Sequence, residues 1–66
     1  NANLLSLINL NLSKFKSFLE KDNLIYEFYD KSKILSFIKN KKIFTNSENQ
    51  FLFNFINSKI FLEKNL

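Results

Sequence analysis

The side chains able to do chemistry in this 66-residue chain are few: carboxylates, lysine amines, serine hydroxyls and two tyrosines. His and Cys are absent, which removes the imidazole base, the thiolate nucleophile and the usual transition-metal ligands. Glu27 and Asp30 are spaced to share one helix face, the arrangement a hard-cation site or an acid–base pair would need. Lys31 and Lys33 stand at pairing distance from them, so ordinary solvated ion pairs, Glu27 with Lys31 and Asp30 with Lys33, explain the same residues more simply. Seven serines have no neighbouring base to activate them, and without Gly there is no phosphate-cradling loop. The expectation is a non-enzymatic chain with no catalytic residue, metal, cofactor or small-molecule substrate.

Two groups are better suited to binding. Lys31, Lys33, Lys39, Lys41 and Lys42 cluster in a chain of net charge +4 and could neutralise phosphates. Against RNA stands the absence of Arg, whose planar fork suits phosphate and guanine edges. The last of these lysines also complement the C-terminal end of a helix dipole, a structural role that needs no ligand. The second group is aromatic: Phe51, Phe53 and Phe55, with Tyr26 and Tyr29. Rings beside Lys can stack bases, but Phe at core-like spacing is far more often core.

These residues need helices to position them. Over 4–21, Leu4, Leu5, Leu7, Ile8, Leu12, Phe15, Phe18 and Leu19 fall on one side of a helical projection, opposite Ser, Asn, Lys and Glu. Asp22 and Asn23 interrupt that pattern, and Asn23 suits both a left-handed helix end and an N-cap. A second stripe, Leu24, Phe28, Ile34, Leu35 and Ile38, predicts a helix over 24–40. Lys31 lies in that stripe, its ammonium reaching outward along its own stem, while Tyr26, Tyr29 and Phe37 lie off it. Thr45-Asn46-Ser47-Glu48 matches a capping box, with Ser47 and Gln50 a near-equal choice. A third helix over 46–63 then carries a wide apolar arc that contains Lys59 and leaves out Phe61. The alternation of Phe51, Phe53 and Phe55 makes a strand its competitor. The fold class expected is all-α, a compact three-helix bundle over 4–21, 24–40 and 46–63.

The chain also lacks Pro, Trp, Met, Arg and Val, an alphabet consistent with an AT-rich genome. Residues 1–66 are expected to form one small helical domain belonging to a longer or processed chain, since the sequence begins at Asn1 and has no Met. No apolar run approaches the roughly 20 residues of a membrane span, and 1–12 lacks the basic start and cleavage site of a signal peptide. An intracellular or organellar setting is expected. A domain this short buries only about 60% of its extended-chain surface, so docking would stabilise it markedly. The leading expectation is therefore a structural interaction domain whose apolar helix faces meet a protein partner or a second copy, through Phe51, Phe55, Ile56 and Ile60. The alternative is an RNA-contacting subunit of a ribosome-like particle, using the five lysines. An amphipathic helix lying on a membrane surface ranks third, because the polar side of 4–21 holds more Ser and Asn than Lys.

Overall fold

The periodicity of the first helix stops at Asp22 and Asn23, and in the structure so does the helix. A computed structural model describes residues 12–40 and 43–65. Within them run α1 (Leu12–Glu20), a single 3-10 turn (Leu24–Glu27), α2 (Lys31–Asn40) and α3 (Asn46–Asn65). The expected helical stretch before Leu12 lies outside the described residues, as do Lys41 and Lys42. Every element among the described residues is helical, none is a strand, and the three helices form a compact all-α bundle.

The helix expected over 24–40 needs correction. It is two elements, a 3-10 turn and α2, because two side chains cap in succession. Asn23 is extended (φ −161°, ψ 154°), and its Oδ1 accepts from Ile25 N at 2.8 Å, which starts the turn. Asp30 Oδ1 accepts from Lys33 N at 3.1 Å and starts α2. Asn23 is thus an N-cap and not a left-handed helix end, and no described residue has positive φ. The break re-aims Tyr26 and Tyr29, which a continuous helix leaves off its apolar stripe.

At α3 the capping box is closed in both directions. Glu48 N donates to Thr45 Oγ1 at 3.1 Å, and Thr45 N donates to Glu48 Oε1 at 2.8 Å. Gln50 turns instead to Asn54, so Thr45 rather than Ser47 begins the helix. The alternating Phe51, Phe53 and Phe55 lie wholly within α3, which settles the strand competitor in favour of helix.

The core has two parts. Leu19, Ile25, Ile34 and Phe55 form the larger, flanked by Phe15, Phe18, Tyr26, Leu35, Ile38, Ile56 and Leu62. Phe44 and Leu52 form the smaller, with Phe15, Phe37 and Ile38 against them. Aromatic rings link the two. Tyr29 sets its edge against Phe55 (5.3 Å between centroids) and Phe51 (6.0 Å), Phe51 meets Phe37 at 90°, and Phe37 stacks on Phe44 at 5.5 Å. Edge-to-face and offset pairs of this kind add about 0.5–1.5 kcal/mol each beyond the area they bury.

Candidate functional site

The inward line of α3 is Leu52, Phe55 and Lys59, the last fully buried. A buried ammonium is tolerated only with compensation. Here Glu63, one turn further along α3, accepts from Lys59 Nζ at 3.3 Å. Lys59 Nζ also lies 4.5 Å from the centre of the Phe18 ring and 5.7 Å from that of Tyr26, where the negative ring faces attract it. The backbone carbonyl of Lys59 accepts from Asn23 Nδ2 at 3.2 Å, tying the α1 end to α3.

The same polar knot closes the C-terminus of α1. Tyr26 Oη donates to the Leu19 carbonyl at 2.5 Å. Lys31 Nζ donates to the Glu20 carbonyl and to Asp22 Oδ1, the latter at 2.7 Å, while lying over the Tyr26 ring. These donors occupy carbonyls that a helix end leaves without intrahelical partners. The hydrogen bond from Lys31, and then its charge, hold the Asp22 carboxyl below the usual carboxylate range. Burial, followed by the Asp22 charge, raises the Tyr26 phenol above its ordinary value.

Lys31 therefore serves the fold, and its partner is Asp22 rather than the expected Glu27. Lys33 and Lys39 are exposed, whereas Lys41 and Lys42 lie outside the described residues. Glu27 and Asp30 belong to different segments, and Asp30 caps α2. Among the described residues no group of three or more metal-ligating side chains comes together.

The four apolar interface candidates separate. Phe55 is 1% exposed, a core residue in contact with Tyr26 and Tyr29, and it cannot present itself to a partner. Ile56 is half-buried against the larger core, while Phe51 and Ile60 reach the surface. With Ile60 stand Phe53 and Phe61, 57% and 62% exposed, along the outer flank of α3. Phe28 and Ile43 are more exposed still, at 75% and 79%. Sequence periodicity missed the exposure of Phe28 because it placed that ring on the helical stripe over 24–40, and Ile43 lies in a connection outside any helical pattern. Comparison with family models, curated proteins and solved structures found no match for this chain.

Proposed function

We propose that this chain is a non-catalytic helical interaction domain that docks into a larger assembly through apolar side chains left outside its own core. The supporting observation is the outer flank of α3, where Phe53, Ile60 and Phe61 face solvent and Ile56 is only half-covered. Positions 53, 56, 57, 60 and 61 are helical neighbours, so these side chains form one strip. Clustered exposed aromatics of this kind mark interaction surfaces, whereas single exposed apolar residues do not. Phe51 adds to the surface on the opposite flank of the helix. No described helix is long and apolar enough to cross a membrane. Lysine-mediated RNA contact ranks below docking because Lys31, the first of the five lysines, is engaged by Asp22 and the α1 end.

The test is a Phe53→Ser/Phe61→Ser double variant. Both side chains are mostly exposed, so helicity and thermal midpoint should stay close to wild type while a specific partner captured by the immobilised chain is lost. Retention of that partner by the folded double variant would overturn the docking surface. Capture abolished by nuclease and by salt would transfer the assignment to RNA.

A further inference from the structure

The face of α3 turned away from the bundle is centred on Asn57. Its buried line is Leu52, Phe55 and Lys59, with Leu62 half-buried beyond them. At about 100° per residue the direction opposite that line falls on Asn57, and Phe53, Asn54, Ile60 and Phe61 lie within about 60° of it. All of these side chains are exposed. Their spacing is symmetrical about the centre: one phenylalanine stands four residues before Asn57 and another four residues after it. The two rings are alike in exposure, at 57% for Phe53 and 62% for Phe61. Gln50 and Lys64 end the face, seven residues to either side of Asn57.

A face with this symmetry matches a copy of itself. When two helices pack antiparallel about a two-fold axis beside Asn57, each residue lies level with the one equally far beyond Asn57 in the other copy. Phe53 then comes beside Phe61 of the second copy, and Phe61 beside Phe53 of that copy. Asn57 meets its own counterpart, and an amide, being donor and acceptor at once, can pair with an identical amide. The Asn54 carbonyl is already satisfied by Gln50 Nε2 at 3.2 Å. Charge agrees with this partner. The chain carries +4, so a second copy is least repelled where charge is lacking. From Gln50 to Phe61 the face has no charged residue, and Lys64 falls level with Gln50 of the second copy. Parallel pairing would instead set Lys64 against Lys64 and align the two helix dipoles.

We propose that α3 pairs with α3 of a second copy, antiparallel, about a two-fold axis at Asn57. The proposal rests on the docking reading and names its partner. A contact made by one helix of 20 residues, about 30 Å long, belongs with the small and reversible interfaces below about 1,200 Å².

Disulfide trapping tests the proposal, because the chain has no cysteine of its own. In the full chain under mild oxidation, Asn57→Cys should link two copies, since its counterpart stands directly across the axis. Lys64→Cys and Lys33→Cys should stay unlinked. Adding Phe53→Ser/Phe61→Ser to Asn57→Cys should cut the linked fraction about tenfold or more, with the circular dichroism spectrum unchanged. Sedimentation velocity on the wild-type chain should show a monomer–dimer equilibrium. Linkage at Lys64→Cys would mean parallel pairing, and linkage at Lys33→Cys alone would place the contact on α2. Either result, or a chain monomeric at every concentration, overturns the proposal. A monomer whose captured partner is lost in Phe53→Ser/Phe61→Ser would defeat self-pairing and leave the docking reading standing. A monomer that keeps its partner in that variant would defeat both.

Discussion

Around Phe44 and Leu52 the buried side chains are hydrocarbon, with Phe15, Phe37 and Ile38 packed against them. Around Lys59 the same bundle is threaded with charge and hydrogen bonds: Glu63, Asn23, Tyr26 and Lys31 all meet there. The dry end obtains stability from area removed from water, an interaction that is strong but indifferent to direction. The wired end adds little net energy per contact but fixes which groups must meet, because a buried donor or charge left unmatched is costly. A chain with no Gly, Pro or Cys to set its turns and crosslinks uses this division in their place.

The contrast predicts effects of graded size. The largest belongs to the dry end, where Leu52→Ala should cost about 2–5 kcal/mol, since the residue is wholly buried. Total stability for a domain of 66 residues is about 3–10 kcal/mol, so chemical denaturation should show a collapsed midpoint. A loss below about 1 kcal/mol would mean that the Phe44–Leu52 cluster is not packed as described.

At the wired end, removing one partner and removing the charge itself should act in opposite directions. Glu63→Gln should destabilise by about 1–2 kcal/mol, limited by the partial exposure of Glu63. Lys59→Met, which keeps volume and removes the buried charge, should be neutral or stabilising by up to about 4 kcal/mol. If Lys59→Met instead lost as much as Leu52→Ala, the ammonium would be a main source of stability and the contrast would fail.

Tyr26→Phe should cost about 0.5–1.5 kcal/mol through the lost bond to the Leu19 carbonyl. The raised phenol also gives a pH signature. Its contribution is complete below the unfolded-state value near 10 and is lost as pH rises through the higher folded value. Tyr26→Phe should therefore flatten the alkaline limb of the stability profile.

The smallest effect is expected at Asp22, an exposed carboxylate held below its ordinary range by Lys31. Its contribution is present above the unfolded carboxylate value near 4 and disappears as pH falls through the lower folded value. Asp22→Asn should reduce the acid-side slope and leave stability at high pH, where Tyr26 governs, little changed in shape. An unaltered acid limb would show that the Lys31 contact does not persist in solution.

The apolar helix faces were more legible in sequence than the polar contacts, although Phe37 of the dry end fell off its expected stripe. Phe15 and Leu19 of α1, Ile34 and Ile38 of α2, and Leu52 and Phe55 of α3 all follow helical periodicity, and Thr45 with Glu48 announces the α3 start through its capping pattern. The wired end was not legible, because its geometry depends on long-range partners. Nothing local to Asn23 specifies a bond to the carbonyl of Lys59, 36 residues away. Lys31 has Glu27 as a plausible local partner, and only the bend at Asn23 and Asp30 brings it to Asp22 instead. Lys59 was visible inside an apolar arc, yet the two rings that surround its ammonium come from α1 and the 3-10 turn. The wide arc of α3 joined Phe55 to Phe51 and Ile60 as one surface. Bundle packing divides it, taking Phe55 into the core and leaving the flanks outside.

The burial of Lys59 also gives the molecule an internal clock. Among ten lysines, this amine is shielded from solvent by the fold itself, so an acylating reagent can modify it only in molecules whose core has opened. The exposed amines of Lys33 and Lys39 react without any such opening and serve as the reference. Timed acetylation read by peptide mass would thus report how often α3 lifts from α1 under native conditions, with no denaturant and no engineered probe.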